Sequence, residues 1–136
     1  MTFYVKIAGC NPKSLSGENV GVFLAASGGE TVDYNCLTHV ESESDGYRLL
    51  GSAGFMFANQ ISYAFNLQGT SLLMNSGCSS SMVALETAIS AIRDGRINAA
   101  IVCASSVYLS PFSSLEFMSM GALSPDGVCR AFDDAG

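Results

Sequence analysis

One cysteine in this sequence stands where chain geometry favours a reactive thiol. In Asn75-Ser76-Gly77-Cys78-Ser79-Ser80-Ser81-Met82-Val83-Ala84-Leu85, a short apolar run meets a glycine, then a cysteine, then a mostly apolar helical pattern. That order predicts a buried strand, a sharp turn and a helix opened by Cys78. At a helix N-terminus, unpaired backbone N–H groups and the positive end of the peptide dipoles favour thiolate over thiol. The same N–H groups suit the oxyanion that forms when a thiolate attacks a carbonyl. Ser79 to Ser81 keep the first turn polar. On the residues alone two readings of Cys78 stand side by side: a nucleophile, or one more buried cysteine, since free cysteines are among the most buried residues.

The elements that would position this thiol follow from the pattern around it. Asn19 to Ala26 (NVGVFLAA), Thr70 to Asn75 (TSLLMN) and Ala99 to Ser105 (AAIVCAS) are short, near-continuous apolar runs, which predict strands buried on both faces. Between the last two, Ser79 to Asp94 predicts a helix with Met82, Leu85, Ile89 and Ile92 on one stripe, stopped by Gly95 after Arg93. Tyr47 to Phe65 is apolar almost all round and predicts a buried helix weakened by Gly51 and Gly54. Ser110-Pro111 predicts an N-cap and first position for a helix through about Met120. Ser124-Pro125-Asp126-Gly127 predicts a turn. Phe3 to Gly9 reads as the end of a helix stopped before Pro12, and Ser27 to Gly46, with five acidic residues, as a surface loop. Strands alternating with helices predict an α/β fold, a parallel sheet covered on both faces. Residues 1–136 read as one domain or part of one.

The 136 residues include 12 acidic and 6 basic side chains, a net charge of −6. No Lys/Arg surplus exists to neutralise phosphates, which excludes a basic nucleic-acid binder and argues against an anionic membrane surface. The longest apolar stretch is too short to span a bilayer, and no charged-then-apolar leader opens the chain. Only 13% of residues are charged, about half the usual fraction near 25%, and the mean hydropathy is +0.33. Much of the surface is therefore expected to be covered by something else. The five cysteines, at 10, 36, 78, 103 and 129, form no CxxC pair. That predicts a reducing, cytoplasmic setting, and neither a disulfide scaffold nor a structural zinc site.

Several blocks, in one order, resemble the β-ketoacyl synthases. The segment from Gly77 to Gly95 (GCSSSMVALETAISAIRDG) resembles the nucleophile segment of that family, usually TACSSS before a small-and-apolar helix. Asn11-Pro12-Lys13-Ser14-Leu15 is similar to DP-x-S-L. Ala58-Asn59-Gln60-Ile61-Ser62-Tyr63 with Phe65 is similar to ANRISY…F, and Gln68-Gly69-Thr70-Ser71 to RGPS. Leu123 to Gly127, with Cys129-Arg130-Ala131-Phe132-Asp133, is similar to LSPDG.CKAFD. The likeness covers essentially the whole chain and is nearest to the ketosynthase domain of animal-type fatty acid synthases.

The resemblance implies a thiolase-like layered fold, of which residues 1–136 would form an incomplete part in the N-terminal half. It implies that Cys78 accepts an acyl group from a phosphopantetheine thioester on an acyl carrier protein domain. A malonyl thioester then loses CO₂ and attacks the acyl-enzyme, giving a 3-oxoacyl product, with no metal or dissociable cofactor. It also implies a homodimer, paired along the strand leading to the nucleophile. The family's two catalytic histidines and a lysine lie in HGTGT-like and NIGH-like motifs beyond the LSPDG-like block, and His39 matches none of them. Residues 1–136 alone are therefore expected to be incompetent for condensation. Asn75-Ser76-Gly77 replaces the usual Asp-Thr-Ala, a change expected to remove a charge and loosen the turn. The alternatives are a non-catalytic thiolase-like interaction chain or the ketosynthase of a related polyketide synthase.

Other candidates are weaker. Cys36 and His39 lack two further ligands nearby for a metal. Phe55, Met56, Phe57, Tyr63 and Phe65 are placed either along an acyl tunnel or in the core. Glu41, Glu43 and Asp45 read as a solvated face. An α/β-hydrolase elbow needs glycines where Ser76 and Ser80 stand, and no phosphate-loop pattern occurs.

Overall fold

The computed structural model describes residues 11–27, 47–108 and 110–134. The Phe3 to Gly9 helix end, the loop from 28 to 46, Cys10, Cys36, His39, Glu41, Glu43 and Asp45 lie outside them.

After a 3₁₀ turn at Pro12–Leu15 comes strand β1 (Val20–Ser27), then helices α1 (Tyr47–Ser52) and α2 (Phe55–Ala64). Strand β2 (Ser71–Met74), helix α3 (Ser80–Arg93), strand β3 (Ala99–Ser106) and helix α4 (Phe112–Ser119) follow. The sheet order is β2-β1-β3 and both pairings are parallel, with Val22 opposite Ser71 and Ile101. Each strand runs within two residues of its expected bounds.

β1 is central, and its side chains alternate between two cores. Val20, Val22 and Leu24 pack with Ala58 and Leu67 on the α2 face. Phe23 and Ala25 pack with Ala84, Ala88, Ala91 and Ile97 on the α3 face. This is why the β1 run is apolar without interruption: period-two alternation delivers residues to two buried faces. Gly69 is required where the chain approaches β1, since a β-carbon there would lie 2.4 Å from the Val20 backbone.

Two expectations need correcting. Tyr47 to Phe65 is not one buried helix but two, separated at Ala53-Gly54, where glycine disfavours helix continuation. Of its aromatic set, Phe57 and Phe65 pack against the β1 core, whereas Phe55 (57% exposed) and Tyr63 (89%) face outward. The second correction concerns α3. Met82, Leu85, Ile89 and Ile92 are exposed, and the buried positions are Ser80, Ala84, Ala88 and Ala91. Small side chains let the helix lie close on β1 and β3, and the larger apolar stripe is turned away from the sheet.

The end of α3 matches expectation. The Gly95 N–H donates to Ile92 C=O at 3.0 Å and the Arg96 N–H to Ala91 C=O at 3.0 Å, the bond pair of a Schellman stop. α4 begins one residue later than expected, with Pro111 and not Ser110 in the N-cap place; Ser110 Oγ still accepts from the Phe112 N–H at 3.3 Å.

Candidate functional site

The turn between β2 and α3 lies at the carboxyl end of the parallel strands, where open α/β sheets bind their ligands. Gly77 takes a positive φ of 63°, a conformation glycine adopts without penalty. Cys78 follows, two residues before α3 begins at Ser80. Its side chain is exposed and not in a disulfide.

All four backbone polar groups of Ser76 and Gly77 are paired. The Ser76 N–H donates to Ser80 Oγ at 2.8 Å, and Ser79 Oγ donates to the Ser76 carbonyl at 2.9 Å. The Gly77 N–H donates to Asn75 Oδ1 at 3.1 Å, and Ser80 Oγ donates to the Gly77 carbonyl at 2.6 Å. Asn75 keeps the acceptor oxygen that an aspartate would offer here, without its charge.

Cys78 borders two clefts. One, of about 320 Å³, is lined by Ala25, Ala104, Ser105 and Ser106 at the strand ends and by Ser80 and Ser81 of α3, with Gly77, Cys78 and Tyr108. The other, of about 330 Å³, continues from Gly77, Cys78 and Tyr108 along α4, past Ser113, Glu116, Phe117 and Met120. The first exposes backbone and hydroxyl groups beside the thiol. The second offers an apolar wall from Phe117 and Met120. A helix leaves its first N–H groups without intrahelical acceptors; at α3, Ser80 and Met82 bond back to Gly77 and Ser79. Ser81 lies in the first turn and on the cleft wall with Cys78. Together these place an accessible sulfur, a helix N-terminus and an apolar trough around one point.

The other described cysteines differ in setting. Cys103, on β3, is half-buried, and loss of hydration pushes its thiol up from the ordinary value, against thiolate formation. Cys129 is exposed, in a separate cleft beside Pro125 and Arg130. Phe55, Met56, Phe57, Tyr63 and Phe65 line neither cleft at Cys78. Phe117 and Met120 do, and neither was singled out in the sequence, where their helical spacing carried no sign of which face would meet the thiol. Among the described residues, no group of three or more His, Cys, Asp or Glu could hold a metal ion. The Ser124 turn is formed, with the Gly127 N–H donating to Ser124 C=O at 3.2 Å. Asp126 pairs there with Arg130, Ser124 and the Val128 N–H, which hold its carboxyl well below the usual carboxylate range.

Residues 4–136 match the family model described as "Beta-ketoacyl synthase, N-terminal domain". The chain is 43% identical over 128 residues to a fatty acid synthase of Anser anser anser, covering 94% of this chain and 36% of that protein. It is 37% identical over 121 residues to the highly reducing polyketide synthase gloL of Glarea lozoyensis, covering 88% of this chain and 5% of that protein. Among solved structures, the ketosynthase from module 6 of the bacillaene synthase of Bacillus subtilis 168 superposes with a TM-score of 0.75 at 32% identity, over 94% of this chain and 21% of that one. The oxazolomycin ketosynthase domain OzmH KS7 of Streptomyces albus gives 0.74 at 31%, over 92% and 21%. The chain thus spans well under two thirds of the length of each of these relatives.

Proposed function

This chain belongs to the β-ketoacyl synthase family, with the thiolase-like fold of its N-terminal domain, and on that premise we propose that Cys78 is the acyl-accepting nucleophile of a decarboxylative condensation in fatty acid synthesis. The observation that carries this reading is the exposed thiol at the N-terminal end of α3, at the meeting of two clefts.

In the first half-reaction the Cys78 thiolate attacks the carbonyl of an acyl thioester presented on the phosphopantetheine arm of an acyl carrier protein domain. The carbonyl oxygen takes the negative charge, which the helix N-terminus stabilises. Collapse breaks the original C–S bond and releases the pantetheine thiolate, leaving the acyl group on Cys78. In the second half-reaction a malonyl thioester loses CO₂, and its enolate carbon attacks the acyl-enzyme. Cys78 leaves as thiolate and a 3-oxoacyl thioester forms. Two smaller barriers replace one large one. The transfer draws on no metal or cofactor of this chain, since the substrates bring their own phosphopantetheine.

Residues 1–136 supply the acyl acceptor. Their one histidine, His39, matches neither of the family's histidine motifs, so we assign decarboxylation to groups outside these residues. We assign the protein to the cytoplasm, a reading supported by the free thiols of Cys78, Cys103 and Cys129. No helix among the described residues is long and apolar enough to cross a membrane. Among the described residues β2 lies at the sheet edge, and we assign its outer side to the homodimer pairing that the family resemblance implies.

A second reading keeps the chemistry and changes the substrate: the ketosynthase of a polyketide synthase, favoured by the likeness to the bacillaene and oxazolomycin ketosynthases. Incubation with a simple acyl-pantetheine thioester tests the reading common to both. Peptide mass spectrometry is expected to find the acyl group on Cys78, and none on Cys103 or in the Cys78→Ala variant. Absence of the adduct, or equal labelling of Cys103, would favour a non-catalytic interaction chain.

A further inference from the structure

We propose that Ser80 is a positioning residue for Cys78, holding through a single buried hydroxyl the turn that presents the thiol; its consequence for turnover rests on the acyl-transfer reading above.

Ser80 is 4% exposed and is the one polar side chain in the buried core of the described residues. Its hydroxyl makes two bonds, both to the backbone immediately before Cys78. It accepts the Ser76 N–H at 2.8 Å and donates to the Gly77 carbonyl at 2.6 Å. A serine that serves its own helix sits before the first turn and accepts from N–H groups ahead of it. Ser80 does neither. It is already the first residue of α3, and its hydroxyl reaches back along the chain, so its bonds satisfy the turn and leave the helix N–H groups untouched.

Burial separates Ser80 from its neighbour Ser79, which also bonds the turn, through the Ser76 carbonyl. Ser79 is exposed, so water can take its place. Ser80 is buried, so its hydroxyl is far less open to replacement by water. Loss of its hydroxyl leaves the Ser76 N–H without this acceptor and the Gly77 carbonyl with only the Ser80 N–H, at 3.2 Å, and a lost hydrogen bond costs about 1 kcal/mol. The turn relieves that cost by rotating, and rotation at Gly77, the least constrained residue, carries the Cys78 side chain away from the α3 terminus. The packing of α3 on the sheet through Ala84, Ala88 and Ala91 is not involved.

The test uses the intact protein and two readouts of Cys78: loading from an acyl-pantetheine thioester, and labelling by iodoacetamide followed across the neutral to alkaline range. Ser80→Ala is expected to lower the loading rate about tenfold, the effect of roughly 1.4 kcal/mol on a barrier, with the half-saturating thioester concentration unchanged. Labelling of Cys78 is expected to slow across that range. Ser80→Thr and Ser80→Val have the same shape and differ only by the hydroxyl, so their ratio removes packing effects and decides the matter even where Ser80→Ala is poorly folded. The threonine variant is expected to load about tenfold faster than the valine variant. Equal rates for that pair, or a wild-type labelling profile in folded Ser80→Ala, would overturn the proposal. A wild-type protein that labels but never acylates would sink the acyl-transfer reading alone, and the labelling ratio would still decide the role of Ser80.

Discussion

At the scale of single residues, the site depends on four consecutive positions with different duties. Gly77 supplies the backbone conformation, Cys78 the sulfur, and Ser79 and Ser80 the bonds that hold the turn. The φ of 63° at Gly77 costs a residue with a β-carbon about 1–2 kcal/mol. A β-carbon there would meet no atom within 4 Å, so the cost is conformational and not steric. Gly77→Ala is therefore expected to destabilise the intact protein by about 1 kcal/mol or slightly more, read as a lowered urea or thermal midpoint. An unchanged midpoint would show that the turn does not need the left-handed conformation. The place of Cys78 between strand and helix was legible in the sequence because the apolar run, the glycine and the helical pattern are local signals. The bonds of Ser80 were not, because three successive serines look alike until burial distinguishes them.

At the scale of elements, α3 is the informative case. Its sequence carries two helix-periodic stripes, one of large apolar residues and one of small ones. Burial of large side chains usually decides which stripe faces inward. Here the small stripe of Ser80, Ala84, Ala88 and Ala91 faces the sheet, because Phe23 of β1 and Ile97 fill the space between. Ala88→Leu is expected to overpack this contact and destabilise by about 1–3 kcal/mol. Leu85→Ala, on the 40% exposed side, is expected to cost less than Ala88→Leu in the same denaturation measurement. The reverse order would mean that the orientation of α3 is wrong. β1 was easier to read, since a central parallel strand is apolar on both faces whatever covers them. The break at Ala53-Gly54 was harder, because an isolated glycine weakens a helix without fixing where it stops.

At the scale of the whole molecule, the described residues leave large apolar side chains in the open. The outer stripe of α3 is exposed, and α4 buries none of its residues: Phe112 is 64%, Leu115 52% and Met118 59% exposed. Exposed apolar patches of this kind are contact surfaces or aggregation liabilities, and the outer side of β2 adds an unpaired strand edge. Residues 1–136, expressed alone, are expected to associate or precipitate. Light scattering after size-exclusion chromatography checks this, and a monodisperse monomer would contradict it. The low fraction of charged residues had already pointed to a covered surface. By itself the sequence determined the three strands, the parallel class of the sheet and the strand–turn–helix setting of Cys78, because each rests on signals a few residues apart. Only the tertiary structure decided which stripe of α3 meets the sheet, which serine braces the turn and which residues of α4 wall the cleft. Those choices follow from how much space remains between elements far apart in the chain, and local periodicity cannot encode it.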